Sequence, residues 1–422
     1  MGLPAWLTGK GESRELKEFT EQVRSAKTLV ELAWSIGKVV VQTGYEKHQA
    51  DRACADYLRL YEKRHGLVKI LGMAEPVDLA SIYTEVQIIP PSFLNSYRSQ
   101  QELHALFLKK ERSLANHPGG RVKPQAGLDV ANKEANGFLN VLGAPGAGKS
   151  TFLRFVGLKA IQSYRRGLVD RLLTSTSDAP YRHNLLPVLL ELRSLRANPQ
   201  DFIVLIDEEL QTNGFPPNFG RAALRAGGLL VLLDGLDEVP AGRIDDTIQG
   251  IRNLVDQHSE CRYITSCRTA FYKDYFTRFT DVLLTDFSRT QIQNLIQNWF
   301  RSDHDRGNKS AAKLWRILKD RRHKATLELA RTPLLATFLC LVFDESQQLP
   351  TNRADLYERA LRILLEKWAA SKRVHGGDVL PGLTTRRELL MLEQIAGPAY
   401  ENDHYFFTGR EIASAMLAAG RE

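Results

Sequence analysis

At 422 residues, with 43% hydrophobic and 25% charged side chains, the chain has the make-up of a globular protein of roughly two or three domains. No window approaches the roughly 18 apolar residues of a membrane-spanning helix, the opening Met1-Gly2-Leu3-Pro4-Ala5-Trp6 lacks the apolar core of a signal peptide, and Cys54, Cys261, Cys267 and Cys340 form no C-x-x-C pair, so a reduced cytoplasmic compartment is expected without a zinc site or disulfide framework. The formal net charge of +8 leaves nucleic acid or an anionic membrane open as partners, but the excess is diffuse, and pieces such as Lys109-Lys110-Glu111-Arg112 read as solvated helix faces.

From about Ser13 to Gly66 apolar residues recur at mixed three and four spacing (Leu16, Phe19, Val23; Leu29, Leu32, Ile36), which predicts a small all-α domain over 1–75. Residues 76–136 read as a connector, with a strand over Ser81–Ile89 that stops at Pro90-Pro91 and a helix over Gln101–Ser113.

The apolar run Phe138-Leu139-Asn140-Val141-Leu142 leads into Gly143-Ala144-Pro145-Gly146-Ala147-Gly148-Lys149-Ser150, which fits G-x-x-x-x-G-K-[ST] without a mismatch, and Thr151-Phe152-Leu153 continues as a helix. Glycines in such a loop let successive backbone N–H groups turn inward around a phosphate, toward which the following helix aims its positive end. Gly143 through Thr151 are therefore candidate nucleotide-binding residues. Lys149 is expected to reach the β- and γ-phosphates, and Ser150 to offer its hydroxyl to Mg²⁺.

Four more short apolar runs follow, at Leu185–Leu192, Gly228–Asp234, Arg262–Ser266 and Asp281–Leu284, each separated from the next by helical sequence. That is the signature of strands buried on both faces of a parallel sheet, so a doubly wound α/β domain is expected over 137–286. Ligands of such sheets bind beyond the carboxyl ends of the strands, where the phosphate loop, Asp234 and Ser266 to Arg268 would gather. In Leu230-Val231-Leu232-Leu233-Asp234-Gly235-Leu236-Asp237-Glu238-Val239-Pro240 the strand ends in an acid, and Asp234 is placed to hold Mg²⁺ through water. Either Asp237 or Glu238 is then able to orient or deprotonate the attacking water, with Glu238 preferred.

Beyond Asp286 the period becomes helical. Ser288 and Gln291 form a capping box, and helices are predicted at 310–319, 324–331, 333–344 and 353–371, giving a helical domain over 287–374. A final unit over 375–422 carries a helix over Thr385–Ala396 stopped by Gly397-Pro398, the aromatic stretch Tyr405-Phe406-Phe407 and a helix over Arg410–Ala419, an order that suits a winged helix.

The set formed by Gly143–Ser150, Leu229–Pro240 with its Asp-Gly-Leu-Asp-Glu core, Ile264-Thr265-Ser266-Cys267-Arg268-Thr269 and Leu329-Ala330-Arg331-Thr332-Pro333-Leu334-Leu335 resembles the NACHT domain over roughly residues 80–420. NACHT domains belong to the STAND class of signal-transducing P-loop ATPases, found in NOD-like receptors and in bacterial defence proteins. The resemblance implies that Arg268 reads the γ-phosphate as a sensor arginine and that Pro333 packs near the adenine. Cys267 stands before the arginine where many relatives have serine. His404 and His375 lie in the region from which a winged-helix histidine reaches the β-phosphate in that family.

What the resemblance implies is a P-loop NTPase domain followed by helical and winged-helix-like domains. It would be an ATP/ADP-gated switch with slow hydrolysis, self-oligomer formation in the active state, an unknown trigger such as a phage component or host protein, and a role in anti-phage innate defence. Two other classes stay open from the sequence: an ATPase stimulated by nucleic acid, and a scaffold that binds nucleotide without hydrolysing it.

Overall fold

The computed structural model describes residues 47–68, 76–89, 124–169, 181–194, 201–269, 271–272, 274–350, 352–374 and 385–401, with Ile412, Ser414 and Met416. The expected helices over 101–113 and most of 410–419, the aromatic stretch 405–407, His375 and His404 lie outside the described residues. The chain divides into two compact units, one of residues 1–66 and 85–286, the other of residues 67–84 and 287–422.

The first unit is built on a seven-stranded sheet of β3 (Gln87–Ile89), β4 (Gln125–Ala126), β5 (Phe138–Gly143), β6 (Leu186–Glu191), β7 (Leu229–Asp234), β8 (Arg262–Arg268) and β9 (Thr280–Leu284), in the order β4-β3-β9-β5-β8-β7-β6. The last five are mutually parallel and match the five runs read from the sequence. Antiparallel β3, the last three residues of the strand expected over Ser81–Ile89, and β4 extend the β9 side; β4 and this pairing were not foreseen. β5 lies between β8 and β9, while the next strand in the chain, β6, lies at the far edge. The strand order therefore reverses at β5, the place where α/β sheets open a crevice beyond their carboxyl ends.

Leu229 through Leu233 are all fully buried, as strands covered by helices on both faces must be. Each such side chain contributes about 1.5–3 kcal/mol on burial. The helix Lys149–Val169 after β5 buries Phe152, Leu153, Val156, Ala160 and Ile161, spacings of one helical face, and packs on β6 and β7. Asn140 is buried in β5 and donates from Nδ2 to Asp281 in β9 at 2.8 Å, which gives its amide nitrogen a partner while its buried Oδ1 has none.

Of the segment 1–75, expected as an all-α domain, the described residues form the helix Lys47–His65, which groups with the sheet unit, and the two-residue strand Leu67–Val68, which groups with the second. The helix's stripe of Ala53, Tyr57, Leu58 and Tyr61 is buried. Tyr57 donates its hydroxyl to the Pro187 carbonyl of edge strand β6 at 2.8 Å, and Arg64 pairs with Glu209 at 3.2 Å. The Tyr61 hydroxyl seats at Gly157 of the helix after β5, where an added Cβ would collide with it. An apolar stripe on a lone helix needs cover, and this one finds it on the α/β unit.

The connector expected over 76–136 is likewise divided between the units. In the second unit β1 (Leu67–Val68) and β2 (Val77–Asp78) pair antiparallel. Ser81 and Ile82, expected as strand, close the short helix Leu79–Ile82, because Leu79 and Ile82 are buried one turn apart and the Tyr83 N–H bonds back to Leu79. The helices Arg289–Trp299, Ser310–Lys319, Lys324–Leu329, Pro333–Ser346 and Arg353–Val374 follow the predicted ones, and the Ser288/Gln291 capping box is formed in both directions. The helix from Thr385 runs through Gly397-Pro398 to Glu401 instead of stopping there. Pro398 lies inside this helix, where it has no N–H to donate to the carbonyl four residues before it. Among the described residues no helix is long and apolar enough to cross a membrane, and no cluster of three or more His, Cys, Asp or Glu side chains is gathered as metal ligands. None of the four cysteines is in a disulfide.

Candidate functional site

Three neighbouring strands, β5, β8 and β7, end at the same edge of the sheet and deliver the groups singled out in the sequence. Gly143, the last residue of β5, sits in register with Arg268, the last of β8; two strands over, Asp234 at the end of β7 sits in register with Glu191 at the end of β6. Convergence at one edge follows from parallel pairing, since every strand then presents its carboxyl end to the same side.

The loop Ala144–Gly148 crosses from β5 to the helix that begins at Lys149. Gly146 and Gly148 adopt φ of 75° and 92°, values open to glycine at no steric cost. Space at Gly148 is open, with nothing within 4 Å of an added Cβ, so it is the backbone angle and not crowding that calls for glycine there. The Phe152 N–H closes onto the Gly148 carbonyl at 2.9 Å, which makes Lys149, Ser150 and Thr151 the first turn of the helix. Backbone N–H groups of a first turn have no partner within the helix and form a natural anion site. Ala144, Pro145 and Ser150 are exposed, while Ala147 is buried and anchors the loop. Lys149 folds its ammonium back on the loop, 3.1 Å from the Gly143 carbonyl and 3.2 Å from that of Ala144. Burial lowers its pKa, opposed first by the charge of Asp237.

Asp234 is buried and accepts from the Ser266 hydroxyl at 2.6 Å. Gly235 takes φ of 81° and starts the one-turn 3₁₀ helix Leu236–Glu238, which separates the two following acids. Asp237 turns inward: its side chain is 3% exposed and is held by Arg268, through Nε at 2.8 Å and the backbone N–H at 2.9 Å. Glu238 turns toward the surface and stands 3.7 Å from Arg193. Arg193 also donates to Glu191 at 3.1 Å, and Glu191 in turn accepts from Arg154, on the phosphate-loop helix, at 2.9 Å. These arginine partners hold the Glu191 carboxyl below its usual range against the opposing effect of burial.

Lys149, Asp234, Asp237, Glu238, Arg268 and the loop Gly143–Thr151 are thus placed along one edge of the sheet unit. Pro333 belongs to the second unit, where it opens the helix Pro333–Ser346 after the N-cap Thr332. Glu191, Arg193 and Arg154 join the site network without having been singled out for it, and Ser266, expected at this edge, joins it through a bond to Asp234 that was not foreseen. Ser266 lies within a quoted motif, but its bond to Asp234 depends on which way β8 faces. The Arg154–Glu191 pair depends on how the helix after β5 lies on β6.

The residues present fit a phosphate-bearing ligand with a hard divalent cation. The loop offers backbone donors in a conformation reserved for glycine, the half-buried Lys149 ammonium lies beside them, and the oxygen donors are one hydroxyl, Ser150, and one carboxylate, Asp234.

Comparison with known proteins gives no match to a protein-family model and none to a curated protein. Among solved structures the chain is similar to domain III of the Thermotoga maritima replication initiation protein DnaA, with 13% identity and a TM-score of 0.27 over 57% of this chain and 88% of that one. It is also similar to PCH-2 of C. elegans, with 10% identity and a TM-score of 0.28 over 70% of this chain and 73% of that one. Likenesses at these values say nothing of the chemistry at the site, which is read from its own residues. The first unit is a mixed, mostly parallel α/β sheet domain carrying a phosphate-loop motif.

Proposed function

We propose that the chain is a nucleotide-gated ATPase switch of the NACHT/STAND kind, binding ATP or ADP with Mg²⁺ and hydrolysing ATP slowly. The observation that carries this reading is the delivery of the phosphate loop, Asp234 and Arg268 to one edge by three neighbouring parallel strands. In it, the N–H groups of Gly146, Gly148 and the first helical turn donate to phosphate oxygens. Lys149 exchanges the carbonyls of Gly143 and Ala144 for the β- and γ-phosphates. Ser150 and Asp234 would hold Mg²⁺, which would supply charge neutralisation at the phosphates when bound. Glu238 takes the proton of the attacking water, and Arg268 contacts the γ-phosphate and so distinguishes ATP from ADP.

As a switch, the protein uses the nucleotide's identity to bias two domain arrangements, and turnover resets it. Self-assembly in the ATP state and a part in anti-phage defence follow from the sequence resemblance. Light scattering in ATP and in ADP tests assembly: a larger particle in ATP that Lys149→Ala abolishes supports the switch, and one particle size in both nucleotides contradicts it. Phage challenge of cells expressing the wild type or Lys149→Ala tests the defence role, which predicts protection by the wild type only.

A further inference from the structure

The two acids that follow Asp234 are held by different arginines, and their surroundings suit them to different work. Asp237 is 3% exposed and meets Arg268 with both carboxylate oxygens: Oδ1 accepts from the Arg268 backbone N–H at 2.9 Å, and Oδ2 lies 2.8 Å from Nε of the same side chain as an ion pair without hydrogen-bond alignment, turned away from solvent. A general base needs a free oxygen facing a water in the cleft. Glu238, 37% exposed at its side chain, keeps that access.

We infer that Asp237 is a positioning residue that acts through Arg268, fixing the arginine at the end of β8 beside Gly143 so that it discriminates a nucleoside triphosphate from a diphosphate. This assignment rests on the ATPase reading above.

The arrangement is built from both sides. The Ser266 hydroxyl accepts from the Gly235 N–H at 2.9 Å, which pins the start of the turn carrying Asp237 to the same strand that carries Arg268. The Thr269 N–H reaches the Gly143 carbonyl at 3.4 Å, which ties the end of β8 to the root of the phosphate loop. Arg268 is therefore held at its backbone by strand pairing and at its side chain by a buried carboxylate. An arginine with its Nε committed in this way has fewer rotamers to lose when its outer nitrogens meet a phosphate, which is preorganisation. The charge of Asp237 is also the foremost one opposing the lowering of the Lys149 pKa by burial.

The test compares wild type, Asp237→Asn, Arg268→Ala and the double variant for equilibrium affinity toward ATP and ADP, together with kcat and its pH profile. Asparagine keeps the volume and an acceptor for the Arg268 N–H. If Asp237 acts through Arg268, each single variant loses the preference for ATP over ADP by about tenfold or more, the size of a charge-assisted hydrogen bond. The double variant then loses no more than the worse single one, the non-additivity of residues that act as a unit. The acid limb of the kcat profile stays in Asp237→Asn, since the base is elsewhere. Multiplying losses in the double variant, an unchanged ATP preference in Asp237→Asn, or disappearance of the acid limb would each overturn the assignment.

If Asp237→Asn does not fold, Arg268→Lys carries the comparison. Loss of the ATP preference supports the side-chain hold, and retention shows that charge alone suffices and overturns it. A wild-type chain that binds neither nucleotide defeats the ATPase reading itself, whereas binding and turnover that ignore Asp237 defeat only this inference.

Discussion

The hydroxyl of Ser266 stands between Asp234 and the backbone that leaves it, donating to the Asp234 carboxylate at 2.6 Å and accepting from the Gly235 N–H at 2.9 Å. A neighbouring strand thus orients the acid proposed to hold magnesium. Ser266→Ala strands both partners in a buried place, and the expected loss of stability is about 1–3 kcal/mol. Nucleotide binding without magnesium should stay as it is, while the magnesium concentration needed for full binding rises several-fold. Magnesium titrations of the two proteins read this out, and matching curves would contradict it.

Glu238→Gln removes the proposed base without touching the loop. ATP affinity should be kept and turnover should fall by a factor of about 10²–10⁴, the usual contribution of a positioned acid or base. Steady-state turnover set beside equilibrium binding separates the two effects. Wild-type turnover in the variant would return the role to another group.

Docking of the Lys47–His65 helix depends on Gly157, where an added Cβ meets the Tyr61 hydroxyl. That hydroxyl is buried and makes no hydrogen bond. Gly157→Ala gains about 1 kcal/mol of helix propensity but should still lower the melting temperature, because the tyrosine must shift. Tyr61→Phe removes an unsatisfied buried group and should be neutral or stabilising, and in that background Gly157→Ala should cost less. Thermal melts of the four proteins decide it, and purely additive shifts would show that the two residues do not meet.

His65, at the end of the same helix, has its ring pKa lowered to about 4, first by burial and then by Arg154, with Glu191 opposing and Arg64 adding to the fall. The unfolded side chain binds a proton near its ordinary value of about 6.5 and the folded one does not until about 4. Protons therefore favour the undocked form in that window. Stability from this site is complete above about pH 6.5 and is lost as the pH falls toward 4, by at most about 1.4 kcal/mol per unit. Hydrogen-exchange protection over 47–65, taken relative to the intrinsic exchange rate at each pH, should fall between pH 7 and 5, and His65→Gln should flatten the change. Equal pH dependence in both proteins would rule out this histidine as the cause.

The features legible in the sequence are those written in consecutive residues. Gly143–Ser150 carries its own conformational demand in glycines, the five parallel strands are continuous apolar runs, and the Ser288/Gln291 box is a local hydrogen-bond pattern. Partnerships across strands were not legible. Ser266 reaches Asp234, Asp237 grips Arg268 and Arg154 meets Glu191 because of register and packing, and no spacing along the chain encodes those. The same holds for Lys47–His65: its stripe announced a helix needing cover, but only the fold shows that Gly157 and the edge carbonyl of Pro187 provide it. Of the two antiparallel strands, β3 falls within the alternation read over Ser81–Ile89, whereas β4 is two residues long, too short for alternation to stand out.

The central claim, that Gly143–Ser150 binds nucleotide phosphates through Lys149, is tested most directly by calorimetric titration of ATP with Mg²⁺ into the wild type and Lys149→Ala. The account predicts saturable binding near one nucleotide per chain by the wild type, weakened about a hundredfold or more in the variant, as expected for loss of a charged contact in a buried site. No binding by the folded wild type, or equal affinity in both proteins, would contradict it.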